Sequence, residues 1–238
     1  MTMASGYSEV LSPAGARHSA GRHSASIRRW AGAGIAAQVI FVASWLVAAS
    51  WQGAHYSVLK HSISEMYAVT APHAMFLLIV ITLCGAATIW FALRSVLPAL
   101  RSGGRAATVG SALLALSVAG LGDLLTPLER VACRMADPGC SATKMISNSG
   151  GKMDDIFSSV GVLVLVLAAF FLAQAMRRIP SWQAWARPAR LIAVLLFVLA
   201  VGDVADSSLS GLFERLVAAT AAIAIAALAV GILHRSRA

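Results

Sequence analysis

Two aspartates stand at depths where a carboxylate is expensive. At 1.5 Å per helical residue, Asp123 lies about 26 Å up the third apolar segment of the chain and Asp203 about 20 Å up the fifth, counted from the ends expected to face inward. Asp203 then falls inside the hydrocarbon zone and Asp123 near its outer edge. An ionisable group so placed points to a function or to an ion pair; for Asp123, helix termination ahead of Pro127 is the competing reading. Asp206, Ser207 and Ser210 follow Asp203 at helical spacing, so all four would share one face. Asp155, Ser158 and Ser159 repeat the arrangement at the start of the fourth segment. There a first-turn acid would cap free N–H groups and complement the helix dipole. Glu214 and Arg215 open the sixth segment, either as a local pair or with Arg215 neutralising Asp203 or Asp206.

The densest polar run is His61-Ser62-Ile63-Ser64-Glu65-Met66-Tyr67. If helical, it places His61 and Glu65 four apart on one face, and His55 or His73 would complete a metal set. Catalytic zinc needs three protein ligands, and no second His-containing motif stands on another outer helix end. Ser64 as a nucleophile needs a base beside it. A plainer reading makes Ser62 an N-cap, with Glu65 three positions on completing a capping box. No cofactor motif is present.

These residues require positioning elements, and the composition says which. The 238 residues are 58% hydrophobic and 12% charged, with mean hydropathy +0.76, against about 25% charged in soluble domains. A bilayer core needs about 20 apolar residues per helix. Six windows supply them: 31–50, 73–93, 105–126, 155–176, 189–208 and 212–233. The expected fold is an all-α polytopic bundle of six transmembrane helices over 31–238. Residues 1–30, rich in Ser, Ala, Gly, Arg and His, read as a disordered basic cytoplasmic tail. Small residues such as Gly103, Gly110, Ser111, Ala115 and Ala119 would let helices approach closely, while Pro98, Pro180 and Pro188 mark helix boundaries. No fixed-period repeat is visible.

Thirteen of the 19 Lys and Arg lie at one membrane face, in or beside the first, third, fifth and last extramembrane segments, and nine of the ten acidic residues lie toward the opposite face, in its loops and the helix ends that meet them. Lys and Arg near helix ends report the cytoplasmic side, so both termini are expected inside the cell membrane and the acids outside. The pI near 10.5 is then a topology signal. Arginines beside membrane spans are explained by anionic lipid; without a basic stripe and interleaved aromatics they exclude nucleic acid as a partner. Cys133 and Cys140 share a long outer loop and are expected to form a disulfide; Cys84, within the second segment, is a small packing residue.

The segments His61-Ser62-Ile63-Ser64-Glu65-Met66, Asp137-Pro138-Gly139-Cys140 and Gly211-Leu212-Phe213-Glu214-Arg215-Leu216 resemble those of a bacterial integral-membrane family of unknown function, number 998 in that series, over roughly 32–231. The resemblance implies six helices and an outer polar site. Members tend to show a His near the start of helix 4, where this chain has Asp154 and Asp155.

Two carboxylates in an apolar cavity can have their pKa values driven apart, one acting as acid and one as base. That suits hydrolysis, transfer or cyclisation of a lipid or isoprenoid, with Glu65, Asp123 and Asp203 as the catalytic choice and membrane lipids or a hydrophobic small molecule as partners. A transporter is the alternative, although inverted repeats and broken helices are not visible in the sequence. A partner subunit docking through the Ala-rich sixth helix is another.

Overall fold

The computed structural model describes residues 13–235. Among them six helices are long and apolar enough to cross a membrane, and no strand occurs. They are α1 (Pro13–Ala49), α2 (Ala74–Gly103), α3 (Arg105–Leu128), α4 (Ser149–Arg177), α5 (Pro180–Ala205) and α6 (Ser210–Arg235). α1 extends back to Pro13 through residues expected to be disordered; residues 1–12 lie outside the described residues. α4 starts six residues ahead of the expected window, because the Asn148 side chain accepts from Gly151 N at 2.7 Å and caps it. Pro188 lies inside α5. Its missing N–H would have served the carbonyl of Ala184, an exposed residue near the helix start, so the loss is tolerated there.

Each helix packs chiefly on its chain neighbours, and α6 closes on α1, so the six form a ring in sequence order. Small residues set the closeness: at Gly110 of α3, an added Cβ would stand 2.9 Å from Leu172 N of α4. The ring interior is filled by Phe91, Leu114, Leu165, Leu172, Leu196 and Ile225, all buried. Ala-rich α6 sits between α1 and α5 and keeps Leu216, Ile223 and Val230 exposed on its outer face. The exposed helix is α5, with Leu191, Val194, Val198 and Val204 outward, as lipid contact requires.

α3 is broken in mid-span, contrary to the sequence reading. Ser117 takes an extended conformation (φ −71°, ψ 174°) after the regular turns of 105–116, and a π turn follows over Val118–Gly122. Gly120 N and Gly122 N both turn to the Ser117 carbonyl, at 3.1 and 3.2 Å, while Ser117 Oγ donates to Leu114 O at 2.8 Å. Irregular backbone at this depth survives when protein buries it. Two glycines allow that: a Cβ at Gly85 of α2 would overlap the Leu124 amide nitrogen, and one at Gly161 of α4 would lie 2.9 Å from Val118 N.

Opposite the arginine-rich end, the loops 50–73 and 129–148 form a cap. Ile63, Met66 and Tyr67 are buried against Trp45, Leu77, Leu78 and Ile81. Val69 N donates to Val131 O at 2.9 Å, and Arg130 reaches the carbonyls of Tyr67 and Ala68 at 3.1 and 3.0 Å. Cys133 and Cys140 form the expected disulfide. Arg134 pairs with Asp137 and donates to Gln52 O at 3.0 Å. Burial alone would raise the Asp137 carboxyl, but bonds from Arg134 and Thr70 hold it below its ordinary value.

Candidate functional site

Beneath the cap, five carboxylates form an arc around the end of the ring. Electrostatic neighbours run from Asp123 of α3 to Glu129, from Glu129 to Asp154 of α4, from Asp154 to Glu214 of α6, and from Glu214 to Asp203 of α5. The ring fold therefore gathers acids that lie up to 91 positions apart in the chain. Tyr67, buried in the cap, feels four of the five. Its Oη donates to Asp154 Oδ1 at 3.4 Å, and Ser64 is also within hydrogen-bonding reach of that carboxylate. Burial first, and then Asp154, Glu214 and their neighbours, hold the Tyr67 hydroxyl well above its ordinary pKa, so it stays protonated. Glu129 is 5% exposed and its Oε1 is buried without a hydrogen-bond partner. Burial, with Asp154 adding a second negative charge, pushes its carboxyl up to about 8. The one ion pair among the described residues, Arg134–Asp137, lies outside the arc.

Glu65 stands apart. Its Oε1 accepts from Ser62 N at 3.3 Å and its Oε2 from Met135 N at 2.6 Å, while Glu65 N donates to Ser62 Oγ at 3.2 Å. The capping box is real, and the second oxygen clamps the two cap loops together. Burial raises its carboxyl in spite of these bonds. The helical turn covers Ser64–Tyr67 and excludes His61, so the helical His61/Glu65 face is not formed. His61 Nδ1 instead accepts from Ser57 N at 2.8 Å. Ser64 Oγ lies 2.9 Å from Ser62 Oγ, and its acidic neighbour is Asp154. No group of three His, Cys, Asp or Glu among the described residues is arranged to hold a metal ion.

Arg215 does not neutralise Asp203 or Asp206. It is buried and donates to the carbonyls of Val58, His61 and Gly211 and to Tyr56 Oη, stapling the first cap loop to α6. Burial pushes the Tyr56 hydroxyl up to about 12 against the opposing pull of Arg215. Glu214 Oε2 accepts from Ile63 N at 2.7 Å, and a Cβ at Gly211 would overlap the His61 carbonyl. Asp203 is half-buried in the last turns of α5. Asp206 lies beyond the helix in extended backbone, exposed and bonded through Oδ1 to Ser208, so the four-residue face breaks there. Asp155 is exposed in the second turn of α4 and is not its cap.

Two arc members escaped the sequence reading, Glu129 and Asp154, as did the role of Tyr67 beside them. Asp154 carried one signal, its place at the start of helix 4 beside Asp155.

A closed ring of six apolar helices, with a knitted loop cap over buried acids, defines a multi-pass membrane protein with an enclosed polar site at one end. The chain belongs to the family described as protein of unknown function DUF998, whose model matches residues 35–231. No curated protein and no solved structure matches it.

Proposed function

We propose that the protein is a membrane enzyme acting by acid/base chemistry on a lipid or isoprenoid, with the cap on the outer side of the membrane and both termini in the cytoplasm. The observation that carries this reading is the carboxylate arc, which contains two adjacent carboxyls in unequal surroundings. Glu129, unbonded at Oε1 and titrating near 8, is the proton donor at neutral pH. Asp154, which accepts from Tyr67 and has Ser64 within hydrogen-bonding reach, is the base or cation stabiliser. Glu129 gives a proton to an alkene carbon or a leaving oxygen; Asp154 takes one from the resulting cation or from attacking water. Asp123 and Glu214 flank this pair, Asp203 stands beyond Glu214, and Glu65 positions the cap over it.

A cavity of about 140 Å³ supports a hydrophobic substrate. It lies within the ring between α3, α4, α5 and α6, lined by Leu114, Leu165, Leu196, Ala221 and Ile225 among others. Ala221 is seven residues below Glu214, and Leu196 seven below Asp203, so the cavity top is about 10 Å beneath the arc. An amphipathic molecule with its reactive end among the acids and its chain below fits that division.

The test is to incubate purified protein with lipids extracted from its own membrane and to follow them by mass spectrometry. Wild type should consume a species that Glu129→Gln and Asp154→Asn leave intact. Identical lipid profiles for folded wild type and both variants would remove the enzyme reading. A second reading, transport, is favoured by the break in α3 at Ser117, the kind of discontinuity that transporters place at their sites; uptake by sealed vesicles without chemical change would support it.

A further inference from the structure

We infer a second site at the arginine-rich end, between α3 and α4, that binds the headgroup of an anionic phospholipid. A cavity of about 470 Å³ opens there, with Val109, Phe170 and Phe171 on its walls together with Arg105, Arg178 and Gln174. Val109 and Phe170 are exposed, at 39% and 49%, so the apolar wall continues onto the lipid-facing surface of the bundle. The charged wall is exposed and carries few protein partners. Among the described residues Arg105 has no hydrogen-bond or ion-pair partner, and Arg178 makes one long bond from Nη1 to Gly103 O at 3.5 Å. Gln174 is held by Arg190 Nη2 at 3.2 Å, and the Arg190 Nε is buried with no partner. The ion pair of Arg134 and Asp137 lies in the cap at the other end, so no carboxylate among the described residues pairs with these guanidinium groups.

Two guanidinium groups at one cavity repel each other, and an anion between them removes that cost. A phosphodiester suits the need, since its oxygens match the paired N–H donors of arginine. The apolar wall selects a lipid over a free anion, because Phe170 and Val109 offer an acyl chain a track that inorganic phosphate cannot use. Basic pockets between membrane helices are a recurring place for such headgroups. The site lies at the opposite end from the carboxylate arc and does not depend on the enzyme reading.

The experiment uses the full chain in a neutral detergent, titrated separately with dihexanoyl phosphatidylglycerol, dihexanoyl phosphatidylcholine and inorganic phosphate, with binding read as a shift in thermal midpoint. Phosphatidylglycerol should bind and phosphatidylcholine should not. Arg105→Gln with Arg178→Gln should weaken phosphatidylglycerol at least tenfold, and Phe170→Ala should weaken the lipid while leaving phosphate unchanged. If the double variant does not fold, Arg105→Gln alone, which has no hydrogen bond to lose, should weaken binding at least threefold. Equal binding of the two lipids, phosphate binding as tightly as phosphatidylglycerol, or wild-type affinity in the folded arginine variant would each overturn the site. So would an equal loss in Arg28→Gln with Arg29→Gln, which would indicate general surface charge.

Discussion

Replacing Arg215 with Met should open the cap while leaving the helix ring assembled. The guanidinium donates to the carbonyls of Val58, His61 and Gly211 at 2.9, 2.7 and 2.7 Å, and to Tyr56 Oη. A hydrogen bond to a charged group is worth about 1.5–3 kcal/mol. Val58 is exposed, so its carbonyl regains water at little cost; the other three partners are less accessible. Three such bonds would sum to about 4.5–9 kcal/mol if independent; lost together as one buried charged network they cost roughly 3–5 kcal/mol. Met preserves the aliphatic contact of the stem with Trp45 and Tyr56, over whose rings the guanidinium carbon stands at 5.9 Å. Lys should rescue only in part, because one ammonium cannot span the positions that the two guanidinium nitrogens reach. Lys60 is the only lysine in the 50–73 loop, which provides a readout. Cleavage there by a lysine-specific protease needs the loop to open locally and tracks the open population. Arg215→Met should raise the rate more than a hundredfold with helicity unchanged. Equal cleavage of wild type and Arg215→Met would refute the staple.

Peptide mapping without reductant should recover Cys133 linked to Cys140; replacing both with Ser should destabilise the second cap loop by about 2.5 kcal/mol from its short closed ring, and free thiols in protein from its native membrane would contradict the bridge. Glu129 is raised in the fold from 4.5 to about 8, so the folded state holds the proton more tightly than the unfolded chain does. Its contribution is full below about 4.5 and is lost as pH climbs through about 8. Thermal midpoints should fall over that window in wild type, and Glu129→Gln should flatten the fall; an unchanged profile would count against its burial in neutral form. A reporter that is active only outside the cytoplasm, fused after Ala238, should be silent, and activity there would reverse the orientation.

The helix count was legible because apolar windows of bilayer length have few other uses. Local rules also succeeded where two residues suffice, as in the Ser62/Glu65 box and the cysteine pair. What failed was anything decided across the ring. Ser149-Gly150-Gly151 reads as a loop, yet it is the first turn of α4, because Asn148 caps it and a glycine at 150 lets the Arg130 carbonyl approach where a Cβ would overlap it. Extending the helix by those residues moves Asp155 out of the first turn and into solvent. It also leaves Asp154, not Asp155, facing Tyr67. The break at Ser117 was hidden for a related reason: Gly120 and Gly122 look like ordinary small packing residues until Gly85 and Gly161 are seen pressed against the same stretch. Glu129 follows that stretch directly, and nothing local distinguishes it from a solvated loop acid.

The three segments that carry the family resemblance meet in one place, and that place is the cap. His61 and Ile63 are bonded by Arg215 and Glu214; Glu65 holds the backbone of the loop that Asp137 and Cys140 tie shut. Four of the five arc carboxylates, Asp123, Glu129, Asp154 and Asp203, lie outside those segments. The motifs thus describe how the lid is built, whereas the acids that could do chemistry are set by helix ends and by the break in α3. Glu214 belongs to both. Its Oε2 is taken by Ile63 N in the cap, and it feels the charges of Asp154 and Asp203 in the arc. A cap that lifts must surrender the Ile63 bond, leaving the Glu214 charge less supported among the remaining acids. Glu214 therefore joins the hydrogen bonding of the cap to the electrostatics of the arc through a single side chain.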